Sequence, residues 1–242
     1  MENGTRLRLL LLLLVPASAA LATTQTPNLH PDRAVDATKA WIDKVVCELN
    51  LCPYAAAPFK ADKIRYALAP PHDDSGSDAD VDTQESALVD AFFQEALLLL
   101  DTDEEDLATT MLVAPHYSAG IEDFYSLYVR LTDLLEDPDE DVLQNQIQPA
   151  FFHPEWNFEG EPADSPTHFE KRAPCTVINL LRRNTLDRVV GEGLKRGVVV
   201  NKEIAEHNEA KLHEVGTERL KAIFRQIMQQ AGGISSGGME LS

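Results

Sequence analysis

The chain has 242 residues, enough for one large domain or one domain with tails, and its 44% apolar content suffices for a packed core. Its 40 acidic residues against 21 basic ones give a net charge of -19. Nucleic acid and anionic membrane surfaces are thereby disfavoured as partners, since both demand Lys and Arg. The three cysteines, Cys47, Cys52 and Cys175, are too few for a disulfide scaffold; they form no CxxC and match no zinc-module spacing.

The N-terminus has the layout of a secretory signal. Arg6 and Arg8 precede the apolar run 9–15, and Ala17-Ser18-Ala19 or Ala20-Leu21-Ala22 offers a cleavage pattern. Residues 1–22 are therefore read as a targeting segment, and the expected location is the secretory pathway or an organelle reached through it. The apolar run is too short to span a bilayer of ~30 Å, and no later stretch is long enough. Removing Glu2, Arg6 and Arg8 takes the charge from -19 to about -20. Residues 23–34, polar and proline-containing, are expected to be a disordered leader.

A single α/β domain is then expected over 35–231. Asp36 or Thr38 caps a helix running to about Asn50, with Trp41, Ile42, Val45, Val46 and Leu49 on one face. Pro53 forbids continuation, so residues 50–54 form the helix exit and a turn. A strand over 63–68 precedes an acidic loop insertion at 70–82. Helix 83–100, capped by Thr83 or Ser86, leads through a charged turn to the buried strand 109–114. Helix 121–136, strand 142–153 and an irregular loop over 155–167 follow. Pro174 suits the first turn of a helix reaching about Arg183, with Thr185 capping its continuation. Helices over 201–213 and 217–230 are split at Gly216, and 232–242 is a flexible Gly/Ser-rich tail. Alternating strands and helices predict a parallel or mixed sheet of three or four strands, with helices packed on it and a helical C-terminal part.

In such sheets ligands gather beyond the carboxyl ends of strands, where His116 and His153 are both expected. Imidazole titrates near neutrality, so either histidine is a candidate acid, base or metal ligand, with Glu155 or Asp123 as a carboxylate partner. The alternative is a histidine bonded to a loop carbonyl. Neither acidic run fits a calcium loop, and no metal site or cofactor is assigned. Cys52 follows a helix C-terminus, whose dipole disfavours a thiolate unless a cation is adjacent; Cys175, behind Pro174, is better placed. Arg172 and Arg182 stand out in so acidic a chain as holders of a carboxylate or phosphate, against the alternative of pairing with nearby acids. Tyr54 and Asn50 in the turn complete the candidates for substrate contact.

Three segments carry a family resemblance. Trp41-Ile42, Val45-Val46 and the run from Leu49 to Ala55 form the first, Phe152-His153-Pro154 with Phe158 the second, and Arg172-Ala173-Pro174 with Leu180-Leu181-Arg182 the third. Together they resemble the mainly bacterial family called domain of unknown function 1415, from about Val35 to the final helices. The resemblance points to Asn50, Cys52, Pro53, His153, Pro154, Arg172, Pro174 and Arg182 as motif residues, and implies no activity. Cys175 and Asn179 stand where the family pattern has an aromatic residue and a histidine. Three functions remain open: an enzyme on a small anionic substrate, with His153 as acid/base and Arg172 and Arg182 as clamp; a non-enzymatic binding or accessory protein; and a thiol redox protein using Cys52.

Overall fold

A computed structural model describes residues 29–70, 81–117, 119–136, 143, 145–197 and 199–232. The targeting segment, most of the leader, most of the 70–82 insertion and nearly all of the tail lie outside the described residues.

Helix α1, Pro31–Trp41, begins five residues before the expected Asp36 cap. Pro31 occupies its first turn, where the missing N–H costs nothing, and the Thr38 hydroxyl bonds back to the Ala34 carbonyl at 2.7 Å instead of capping. Leu29 is already buried, so the end of the expected leader belongs to the folded part. The helix widens into a π-turn, Ile42–Cys47, and closes with two bonds: Leu51 N–H to the Val46 carbonyl and Asn50 N–H to the Cys47 carbonyl. That pair is a Schellman closure, and Asn50 holds its left-handed position at φ 56°.

The rest of the chain is a short helix α2 (Ala56–Lys60), β1 (Ile64–Leu68), α3 (Val81–Asp101), β2 (Thr109–Ala114), α4 (Ile121–Glu136), β3 (Ile147–Phe152), a 3-10 turn (Pro166–Glu170), β4 (Thr176–Arg182), α5 (Arg183–Lys195), α6 (Val200–Val215) and α7 (Thr217–Gly232). The sheet is mixed and four-stranded, in the order β1-β2-β4-β3. β1 runs parallel to β2, while β4 lies antiparallel between β2 and β3.

The central strand β4 occupies the segment where a helix behind Pro174 was expected. Thr176, Val177 and Ile178 are β-branched, and nearly every residue of the strand is buried because both its faces are covered. Such a strand shows no period of two, which is why it reads as a buried helix. Cys175 therefore precedes a strand, where burial pushes its thiol up to about 12.

Paired residues share a face. Leu112, Ile147, Phe151, Ile178 and Leu180 face α3 and α4 through Leu88, Phe92, Leu99, Phe124, Leu127 and Leu131. Met111, Val113 and Val177 face α1, the π-turn, α6 and α7 through Trp41, Val45, Leu212, Leu220 and Ile227. Phe152 joins that second core against Trp41, rings 5.0 Å apart. The result is a helix–sheet–helix sandwich. At the β3 side of the second face the cover changes from α1 and α7 to α5 and α6, and there the packing opens. Among the described residues no helix is long and apolar enough to cross a membrane.

Candidate functional site

The opening is a cavity of about 370 Å³, within the range of small-molecule sites. Ala150 of β3 and Leu181 of β4 form its floor, and Leu186, Val189 and Val190 of α5 and Ile204 of α6 its apolar wall. Cys52, Tyr54 and Lys171 also line it, as do three carboxylate residues, Glu161, Glu170 and Glu209.

Cys52 reaches this place because the Schellman closure at Asn50 turns the chain away from the π-turn and toward the 3-10 segment. The expected helix-end position held, but its consequence did not. Beyond the closure the sulfur faces the N–H groups of Tyr54 and Ala55 rather than helix carbonyls. Burial raises the thiol's pKa, and those two N–H groups, then Lys171, draw it partly back. Lys171 caps the 3-10 turn. It is half-buried, with its ammonium 5.1 Å from the centre of the Phe152 ring. Burial lowers the lysine's pKa, opposed by the charges of Glu170 and Cys52. Lys171 carries no local signal in the sequence, since it lies between the irregular loop expected over 155–167 and the helix expected behind Pro174.

The other expected site residues are placed elsewhere. His153 is fully buried just past β3, and it does follow a strand end as expected. Its Nδ1 accepts the Glu155 N–H at 3.2 Å, and its ring lies 5.3 Å from Phe124. Its Nε2 is buried without a hydrogen-bond partner among the described residues, although the backbone of Ala119 is near enough to favour the protonated ring slightly. Burial lowers its pKa to about 4, so near neutral pH it is an uncharged packing residue. His116 follows β2 and lines a crevice of only about 10 Å³ with Gln84 and Tyr117, room for no more than one water.

Both arginines are engaged by the protein itself. Arg172 donates through Nε to the Trp156 carbonyl at 2.9 Å and through Nη2 to Asn157 Oδ1 at 2.6 Å, with its guanidinium over the Phe169 ring. Arg182 is buried and donates from Nη2 to the carbonyls of Leu99 (2.5 Å), Thr102 (2.6 Å) and Leu107 (3.1 Å). Leu99 and Thr102 sit at the end of α3, so the guanidinium takes up helix-end carbonyls and complements the dipole. Asn50 is exposed in its turn. Of the expected candidates, Cys52 and Tyr54 meet at the cavity, while His116, His153, Asn50, Arg172 and Arg182 are not among its lining residues. Among the described residues no group of three His, Cys, Asp or Glu side chains is placed to hold a metal ion.

Sheet, helical layers and cavity define a mixed α/β domain with a small-molecule-sized pocket over one sheet face. The chain belongs to the family described as protein of unknown function (DUF1415), whose profile matches residues 33–222. No curated protein and no solved structure matches it.

Proposed function

We propose that the domain takes a small, largely apolar and uncharged molecule into the cavity under α5 and α6, with its reacting or recognised end toward Cys52 and Lys171. The observation that carries this reading is the lining: a mainly aliphatic wall around a ligand-sized volume, with Cys52 and Lys171 among its few polar residues. A net charge of -19 and three glutamates around the space repel anions. An anionic substrate clamped by Arg172 and Arg182 fits less well, since both guanidinium groups already serve carbonyls and an amide of the fold. His153 as acid/base fits less well for the same reason, being held neutral in packing.

The neutral dye Nile red tests the reading by fluorescence titration. The wild-type chain is expected to bind one equivalent, and Val190→Trp, which fills the apolar wall, is expected to abolish binding while the thermal midpoint stays within a few degrees. Equal binding by both proteins, or none by the wild type, overturns it.

A further inference from the structure

Helix α5 is thinly packed. Of its 13 residues only Gly193 is buried, and Leu186, Val189 and Val190 are half-buried over the cavity. Leu186, Val190 and Leu194 are spaced four apart, so the apolar stripe that walls the cavity runs on to the end of the helix. There it leaves the fold. Leu194 is 52% exposed, and Val199, just before α6, is 62% exposed. Between them the chain turns over at Gly197, whose φ is 75°. Lys195 and Arg196 stand in the same turn, exposed, and form no ion pair or side-chain hydrogen bond among the described residues. Lys202, in the first turn of α6, meets Glu206 only at 3.6 Å, with both side chains exposed. From Leu194 to Lys202 the sequence holds three cations and no acid, in a chain of net charge -19. A cation at a helix C-terminus complements the dipole, which accounts for Lys195. It does not account for two large apolar side chains held in water beside the cations.

We propose that the α5–α6 turn docks on an anionic phospholipid surface. Leu194 and Val199 enter the acyl boundary, and Lys195, Arg196 and Lys202 lie at the level of the phosphates. The acidity of the chain disfavours such a surface for the molecule at large. At this turn it orients the approach, since the other faces are repelled and the basic turn leads. An acidic protein would answer the cations alone. A bilayer answers the cations and the apolar pair together, and needs no pocket of matching shape. Docked in this way, the stripe of Leu186, Val190 and Leu194 leads from the acyl chains toward the cavity, so a neutral ligand enters from the lipid. That last step rests on the cavity being a ligand site; the docking does not.

The experiment sediments the full chain with vesicles of equal parts phosphatidylcholine and phosphatidylglycerol, and with vesicles of phosphatidylcholine alone. Nile red binding is measured on each variant without lipid. The wild type is expected to bind the anionic vesicles and to be released as salt is raised. Lys195→Gln combined with Arg196→Gln weakens that binding roughly 25-fold, about 5-fold for each cation removed. Leu194→Ser weakens it by about 10-fold. All three positions are exposed, so thermal midpoints stay near that of the wild type. Leu194→Trp is expected to emit further to the blue on anionic vesicles and to be quenched by brominated acyl chains, while the buried Trp41 and Trp156 do not respond. No binding to anionic vesicles overturns the proposal. So does binding that survives these substitutions, which belongs to another segment such as the basic, apolar start of the chain. Loss with the glutamines but not with the serine, and no blue shift, means adsorption by charge alone and also overturns it. Vesicle docking without dye binding leaves the docking and removes the cavity reading; dye binding without vesicle docking does the reverse.

Discussion

At the scale of single residues, the arginines show how a charged group can be fully used without a carboxylate. Arg182 sits in a nearly closed environment, and its Nε and Nη2 donors find main-chain carbonyls at the end of α3 and in the loop that follows. Replacing it by Met keeps volume but strands the Leu99, Thr102 and Leu107 carbonyls away from water. Such orphaned groups cost about 1–3 kcal/mol each when no relaxation rescues them. Arg182→Met is therefore expected to lower unfolding stability by several kcal/mol in urea denaturation, while dye binding by the folded fraction is unchanged. A substrate clamp would show the reverse, with stability kept and binding lost. Asn50 is as local: its left-handed φ of 56° is tolerated by Asn and Gly. Asn50→Gly is expected to be near neutral and Asn50→Val to cost about 1–2 kcal/mol, measured by thermal midpoint.

Elements meet through a few cross-links that sequence spacing does not reveal. Arg65 of β1 forms a two-pronged pair with Glu95 of α3 at 2.7 and 3.0 Å, and Arg130 of α4 pairs with the buried Glu85 of α3. Both fasten helices to the first core. The cavity side has a different join. Gly216 separates α6 from α7 at φ 78° and ψ 152°, a conformation that is essentially glycine's alone. No atom crowds the position of a Cβ there, so the cost of a side chain is backbone strain alone. Gly216→Ala is expected to destabilise by about 1–3 kcal/mol, read as a lower thermal midpoint; an unchanged midpoint would mean that the α6–α7 corner relaxes freely. Since α6 walls the cavity and α7 packs on α1, this corner couples the cavity wall to the second core.

At the scale of the whole molecule, the buried histidines His153 and His168 set a response to acid. His153 and His168 each accept a backbone N–H at Nδ1, from Glu155 and Phe158, and burial lowers both pKa values, that of His153 to about 4. Their folded pKa lies below the ordinary value of 6.5, so the unfolded chain binds protons first as pH falls. Their contribution to stability is intact above 6.5, declines as pH drops, and for His153 is gone by about 4. For His153 the loss is on the order of 3 kcal/mol. Guanidinium denaturation at pH 8 and pH 5 is expected to show this decline, and His153→Gln is expected to flatten it. A pH-independent midpoint over that interval would mean the ring opens to water at little cost.

Much of the architecture was legible in residue order. Helices α3 and α4 and strands β1 and β2 announce themselves because each buries one stripe or a short β-branched run, and those patterns are local. The turn after Asn50 and the break at Gly216 were readable because left-handed backbone restricts residue choice. The strand-end positions of His116 and His153 were readable too, but an end position does not tell whether a ring faces a cleft or a core. Only the tertiary structure decided that residues 176–182 form a central strand, since a strand covered on both faces loses the alternation that identifies it. It alone assigned Arg172 and Arg182 to main-chain and amide partners, because carbonyl positions are set by the fold and not by side-chain identity. It also made the cavity, which joins Cys52, Lys171 and two later helices across long separations in the chain. No local pattern encodes such a meeting, since it arises from packing two layers of helices on one twisted sheet.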